Sequence, residues 1–338
     1  MIKDFLKRIT EYKNLSRIEA KQIITLISED KITYAQIGSL LTALKMKGET
    51  VEELTGFAQG LIELAQKIDI SHNQPIVDSC GTGGDGTNTF NISTASAVLA
   101  SACGVMMAKH SNFGYTSLSG SSNVVEALGF ELSRTSENVI NSLSSTNIAF
   151  LHAPYFHTST RNVVAIRKEL GFRTFFNYIG PLTNPIRPTG QVLGVADNDY
   201  AKKLSQVLLN LGCERAMVVN GENPTIDELN ICGKTNVYKI ENGKIEEYSI
   251  YPEDLGLKTY TLEELKGGKA EENAKIVEEV LSGKSNEAKL YAVLLNTSAI
   301  LWAGGKCSTL EEGIIIARDH VENGMAEKKI LELKNYEL

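Results

Sequence analysis

Over the first 70 residues the apolar positions recur at helical spacing only. Ile18, Ile23, Ile24 and Ile27 share one face behind Ser16-Arg17-Ile18-Glu19, which matches a capping box. Thr33 precedes a second stripe, Ile37, Leu40, Leu41 and Leu44, closed by Gly48. Thr50-Val51-Glu52-Glu53 opens a third, with Leu54, Phe57, Leu61 and Ile62. The pattern predicts three amphipathic helices. Their stripes can be buried on each other, on the rest of the chain or on a second subunit.

From Pro75 the period changes. The apolar runs Ile76–Asp78, Val105–Ala108, Ile148–Leu151, Val192–Val195 and Ala216–Val219 alternate with helical stretches at Ala95–Ala102, Ser121–Leu128, Glu137–Ser144 and Asp199–Leu211. Such alternation predicts a mainly parallel central sheet flanked by helices, with ligands met at the strand C-termini. Asn242-Gly243, inside Val237–Tyr251, predicts a hairpin turn. Helical periodicity returns at Glu271–Leu281, Glu287–Trp302, Leu310–Val321 and Glu327–Leu333. The fold class is therefore α/β: a small N-terminal helical domain, residues 1–70, plus a larger α/β domain, residues 71–338. The segment around 155–185 is expected to pack back on the helical domain.

At 338 residues, 42% of them hydrophobic, the chain can bury a large core. A net charge of −7, without a long basic run, argues against a broad nucleic-acid or membrane surface. The five cysteines are scattered, with no Cys-x-x-Cys, as in a reducing compartment without a zinc knuckle. The N-terminus is charged throughout and no apolar run reaches spanning length. A soluble, cytoplasmic protein with no nucleic-acid or membrane partner is expected.

The densest chemistry lies in residues 78–94. Gly81, Gly83, Gly84 and Gly86 follow a strand and can turn their backbone N–H groups toward one ligand. Asn91-Ile92-Ser93-Thr94 then opens an Ala-rich helix, whose N-terminus favours an anion. Gly81-x-Gly83-x-x-Gly86 also matches the dinucleotide fingerprint, but the helix begins near Ser93, and the second strand runs into Lys109-His110 where an acidic residue belongs. Asp85 would repel a bare pyrophosphate, so a metal-carried diphosphate fits better. A glycine-rich turn without a ligand is the bland alternative.

Two further clusters follow predicted strands. Lys109, His110, Asn112, Thr116, Ser117 and Ser121 can donate to phosphate oxygens, or form a Ser-rich surface loop capped at Ser121. Asp227 and Glu228, in a loop, can bracket Mg2+ or be a solvated acidic pair; the residues alone weigh these equally. Arg161, Arg167 and Arg173 punctuate a predicted helix over 160–174, where Arg167 complements the helix C-terminus or forks a substrate carboxylate. His152 and His157 read as structural, and no nucleophile–base set is visible.

Together the motifs resemble the anthranilate phosphoribosyltransferases, whose fold family includes the pyrimidine nucleoside phosphorylases. The resemblance rests on Gly81–Gly86, Asn91–Thr94, Lys109-His110, Ser119–Leu128, Arg167–Pro185 and Asp227-Glu228, and covers essentially the whole chain. Gly180-Pro181-Leu182-Thr183-Asn184-Pro185 is far more specific than the glycine loop. The resemblance implies a homodimer formed through the helical domain. It implies Mg2+-dependent transfer of the phosphoribosyl group of 5-phosphoribosyl 1-diphosphate to anthranilate, in tryptophan biosynthesis. By the same resemblance the diphosphate substrate binds at Gly81, Gly84, Asp85, Thr89, Asn91, Ile92, Ser93, Thr94, Lys109, His110, Thr116, Ser117 and Ser121. Ser93 and Glu228 would hold one Mg2+, and Asp227 and Glu228 a second. Anthranilate would meet Gly81, Asn112 and Arg167, with Lys109, Asp227 and Glu228 as catalytic residues.

The chain departs from the family pattern at named positions. Lys-His-Gly-Asn-Arg has Ser111 and Phe113 in place of its glycine and arginine. An Ala-Asp pair is Ser122-Asn123, and Tyr-His-Pro-Ala is Phe156-His157-Thr158-Ser159. One cation is lost and an aromatic gained near the acceptor, so these changes bear on acceptor identity. The competing readings are a paralogous transferase with another acceptor, a pyrimidine nucleoside phosphorylase and a non-catalytic nucleic-acid-binding homologue. The net charge of −7 and the retained Asp227-Glu228 argue against the last.

Overall fold

The computed structural model describes residues 1–70, 74–114 and 118–338, apart from the side chain of Ser159. The N-terminal unit has four helices: α1 (Ile2–Thr10), α2 (Arg17–Ser28), α3 (Tyr34–Lys47) and α4 (Val51–Leu64). Capping boxes are formed at Ser16, Thr33 and Thr50, each side chain accepting from the third helical amide and each N3 side chain returning the bond. α1 corrects the three-helix expectation. It buries only Phe5 and Ile9, too short a stripe to stand out. It is fixed instead by contacts from elsewhere, including the Arg8 pair with Glu19 and the Arg8 bond to the Asn14 carbonyl.

Among the described residues seven strands form one sheet in the order β3-β2-β1-β4-β5-β6-β7. β1 (Ile76–Gly81), β2 (Met106–Ser111), β3 (Ile148–His152), β4 (Gly190–Gly194) and β5 (Arg215–Gly221) are parallel; β6 (Thr235–Glu241) and β7 (Lys244–Ile250) form an antiparallel hairpin. Its turn is Asn242-Gly243, both at positive φ. Two strands run further than their apolar stretches. Ser79, Cys80 and Gly81 pair with β4, while Lys109, His110 and Ser111 pair with β3. Ladder bonds to neighbouring strands, not hydropathy, set these ends.

Helices cover both faces. In chain order they are α5 (Ile92–Ala102), α6 (Ser121–Ala127), α7 (Ser136–Thr146), α8 (Ala153–Phe156), α9 (Arg161–Leu170), α10 (Phe175–Ile179), α11 (Asn198–Asn210), α12 (Ala270–Leu281), α13 (Glu287–Ala303), α14 (Leu310–Glu322) and α15 (Met325–Lys334). The helix predicted over 160–174 is broken. Gly171, at φ 66°, caps α9, leaving Arg173 in the turn before α10.

Alternation along the strands divides the core. Val192, Met217 and Val219 pack with α5 and α13, whereas Leu193, Ala216 and Val218 pack with α9 to α11 and the N-terminal helices. Phe57 of α4 stacks on Phe175 of α10 at 4.1 Å between ring centroids. Among the described residues no helix is long and apolar enough to cross a membrane.

Candidate active site

The C-terminal ends of the parallel strands, together with α9 and α10, surround a cavity of about 790 Å³. Beneath its floor the Asp78 carboxylate accepts from the His110 backbone N–H at 3.1 Å and from Asn184 Nδ2 at 3.0 Å. Asn184 Nδ2 also reaches the Ala108 carbonyl at 2.8 Å. The Gly-Pro-Leu-Thr-Asn-Pro segment therefore stitches β1 to β2 below the site. Burial pushes the Asp78 carboxyl up to about 6, against the pull of Lys109.

Lys109 is fully buried, and its Nζ donates to the Ser79 carbonyl and, at 3.2 Å, to Ser93 Oγ. Facing it are Asp227 and Glu228, in the loop after β5. Gly81 and Gly194 make room for that loop: a Cβ on Gly81 would sit 2.1 Å from Asp227 Oδ2, and one on Gly194 would sit 1.6 Å from the Asp227 carbonyl. From the other side Asn296 of α13 clamps Leu229, accepting from its N–H at 3.0 Å and donating to its C=O at 3.1 Å.

Burial and then Asp85 raise the Asp227 carboxyl; burial and then Asp227 raise Glu228. Asp85 is held in place by the Thr87 N–H at 3.1 Å and the Thr87 hydroxyl at 2.7 Å. Three carboxylates thus converge beside the buried cation of Lys109, and a divalent cation would relieve their repulsion. Among the described residues no group of three or more His, Cys, Asp or Glu side chains could hold a metal ion by itself. The donor set Ser93, Asp227 and Glu228 is open and made of hard oxygens, which suits Mg2+ that keeps water and substrate phosphate in its shell.

The glycine loop is fixed on two sides. The Gly83 N–H donates to Asp227 Oδ2 at 2.6 Å, and Arg173 donates to the Gly83 carbonyl and, at 2.9 Å, to the Thr82 carbonyl. Asn91 Oδ1, at the start of α5, accepts from Asn273 Nδ2 at 2.9 Å. His110 and His157 stand 5.3 Å apart, and burial lowers them to about 3 and about 4, so both rings are neutral at pH 7.

Of the sequence-predicted residues, Gly81, Gly84, Asp85, Thr89, Asn91, Ile92, Ser93, Lys109, His110, Asn112, Ser121, Arg167, Asp227 and Glu228 line this one cavity. Thr94 is buried in the first turn of α5 and is not part of the wall. Thr116 and Ser117 lie outside the described residues. Arg167 stacks over Phe176 at 5.6 Å, and Asn112 Oδ1 accepts from the Phe113 N–H at 2.8 Å. Sequence reasoning missed the parts played by Asn184, Asn273 and Asn296, and offered Arg173 only as one of a helical series. The Gly171 cap is the one local sign that Arg173 leaves the helix.

Of the departures from the family pattern, Ser111, Phe113, Ser122 and Asn123 form one connected set. Ser122 Oγ meets His152 Nδ1 at 2.8 Å and Ser111 Oγ at 3.0 Å, and Ser111 Oγ donates to the Leu151 carbonyl at 3.3 Å. The Phe113 ring rests on His152 at 4.4 Å, and His152 meets Tyr155 at 5.1 Å. Asn123 Oδ1 accepts from the N–H groups of Gly114 and Gly120, both at 3.0 Å.

Residues 3–65 match the helical bundle domain, and residues 73–327 the a/b domain, of a glycosyl transferase family. The chain is 44% identical over 336 residues to the anthranilate phosphoribosyltransferase of Petrotoga mobilis, spanning 99% of this chain and 97% of that one. The fold matches the crystal structure of the Thermus thermophilus anthranilate phosphoribosyltransferase with a TM-score of 0.89 at 35% identity, covering 97% and 99% of the two chains. The Saccharomyces cerevisiae enzyme in complex with PRPP and Mg gives 0.89 at 28% identity, covering 99% and 97%. Likeness that runs through both domains, and along nearly the full length of each relative, shows that this chain belongs to the anthranilate phosphoribosyltransferases, within that glycosyl transferase family.

Proposed function

We propose that the cavity holds 5-phosphoribosyl 1-diphosphate with its diphosphate against the glycine loop and the start of α5, and anthranilate beside Asn112 and Arg167. The products are N-(5-phosphoribosyl)anthranilate and diphosphate. The observation that carries this placement is the meeting of Asp85, Asp227 and Glu228 with Lys109 and Ser93 at an amide-rich loop. Such a site asks for both a cation and a phosphate.

Ser93 with Glu228, and Asp227 with Glu228, would hold two Mg2+ ions. Bound there, the metal supplies positive charge to the leaving diphosphate. Lys109 adds a fixed cation on the same side, and α5 presents its N-terminal amides. The bond from ribose C1 to the diphosphate oxygen breaks with its electron pair leaving on the diphosphate, the anthranilate nitrogen bonds to C1, and that nitrogen then gives up one proton to the departing diphosphate or to water. An aromatic amine is neutral at pH 7, so no strong base is required, in keeping with the uncharged His110 and His157. Arg167 pairs with the acceptor carboxylate and contributes through positioning. The homodimer and a cytoplasmic setting belong to the same reading. Ile18, Tyr34 and Met46, each more than 60% exposed on the helical unit, give a partner subunit an apolar footing.

Phe113 supports a second reading, a different aromatic acceptor, because it puts a ring on the cavity wall where the family carries a cation. The deciding assay follows loss of anthranilate fluorescence with purified protein, 5-phosphoribosyl 1-diphosphate and Mg2+, with and without EDTA. Metal-dependent loss is expected. No loss while the diphosphate substrate still binds would replace the acceptor, and no binding of either ligand would overturn the assignment.

A further inference from the structure

We infer that Arg173 is a positioning residue that sets the glycine loop for diphosphate and is itself braced by the helical unit through Tyr178, Tyr200 and Glu49. This inference rests on the diphosphate placement proposed above.

The guanidinium holds two successive carbonyls, those of Thr82 and Gly83. A trans peptide unit is planar, with its C=O and N–H on opposite sides, so fixing a carbonyl also aims the next amide away from it. Fixing the Thr82 carbonyl aims the Gly83 N–H, which finds Asp227. Fixing the Gly83 carbonyl aims the Gly84 N–H, which has no acceptor among the described residues and belongs to a residue of the cavity wall. An oriented, unsatisfied amide is what an incoming diphosphate oxygen can use. The seat is made for Arg173: Gly84 is at φ +83°, and a Cβ there would lie 1.5 Å from Arg173 Nη1.

Behind Arg173 the contacts continue away from the cavity. Its guanidinium lies over the Tyr178 ring, 5.0 Å from the centroid. Tyr178 and Tyr200 stack at 3.7 Å with their planes 4° apart. The Tyr200 hydroxyl donates to the Glu49 carboxylate, 1% exposed between α3 and α4. Lys203 holds the same turn through the Glu49 carbonyl at 3.0 Å. Neither Tyr200 nor Glu49 lines the cavity.

The remote end supplies the test. Tyr200→Phe keeps the ring stack but deletes the bond to Glu49, and should raise KM for 5-phosphoribosyl 1-diphosphate at least twofold while leaving KM for anthranilate unchanged. Arg173→Ala should raise the same KM at least fivefold, and the double variant should match Arg173→Ala alone, because the remote bond acts only through the arginine. Arg173→Lys, unable to fork two carbonyls, should recover less than half of the loss. Wild-type diphosphate KM in Tyr200→Phe with only a lowered Tm, or effects that multiply in the double variant, would overturn the inference. If Tyr200→Phe does not fold, Tyr178→Leu, which removes the ring beneath the Arg173 guanidinium, takes its place in the same cycle. Turnover by the wild-type protein is measured first. Its absence sinks the proposed reaction, whereas wild-type turnover with a silent Tyr200→Phe sinks the brace alone.

Discussion

Lys109 Nζ stands 3.2 Å from Ser93 Oγ, so the buried cation of β2 meets the first turn of α5. Its second bond, to the Ser79 carbonyl, crosses to β1. One side chain thereby ties two strands and a helix together and balances Asp78 and Glu228, which both respond to its charge.

Lys109→Met keeps the aliphatic stem and removes that balance. Losing one partner of a buried charge set costs about 3 kcal/mol, which urea unfolding would read directly. Removing a preorganised positive charge should also cost kcat about a hundredfold. Wild-type kcat in this variant would refute the electrostatic role.

Glu228 and Arg167 should separate in kinetics. Glu228→Ala is expected to lose activity through metal and diphosphate, seen as a raised Mg2+ requirement. Arg167→Ala should mainly raise the anthranilate KM. Equal effects of both variants on both substrates would count against the two roles.

Gly194 does not line the cavity, yet its Cβ would lie 1.6 Å from the Asp227 carbonyl. Backbone has to move to admit it, and a displacement of the carboxylate loop by even about 1 Å can cost about a hundredfold in rate. Gly194→Ala should therefore fold but need far more Mg2+ for half-maximal activity. An unchanged Mg2+ titration would show that the loop position is not critical.

His110 and His157 carry a pH signature. Their folded values, about 3 and about 4, lie below the ordinary 6.5, so the unfolded chain binds more protons between those limits. Stability from each is complete above about pH 6.5 and is lost as pH falls through that window. By pH 5 the loss is about 2 kcal/mol per ring. The stability advantage of wild type over His157→Asn should shrink by that amount from pH 7 to pH 5, and neither ring should titrate by NMR between pH 5 and 8.

What the sequence makes legible is what is local. α2, α3 and α4 declare themselves because a capping residue, its N3 partner and the apolar stripe lie within a dozen positions of one another. The βα alternation is readable for the same reason and carries the fold class. The glycine loop is readable because only glycine composition gives such a turn its freedom. The polar tails of β1 and β2 are not readable, since their length comes from pairing with β4 and β3. Nor are Asn273, bonded to Asn91, and Asn296, bonded to Leu229: no periodicity records partners 182 or 67 positions apart. Arg173 is visible as a charge, but its place depends on a helix ending at Gly171.

The clamp of Asn296 on Leu229 also orders events during synthesis. A ribosome releases the chain from its N-terminus, so the glycine loop, Lys109 and both loop carboxylates are all outside before α13 exists. Until Asn296 emerges, the segment that carries Asp227 and Glu228 lacks one of its two walls and must wait for a contact made late in translation. The reaction centre therefore cannot reach its final packing until α13 is made, although every residue proposed for it lies ahead of that helix in the chain.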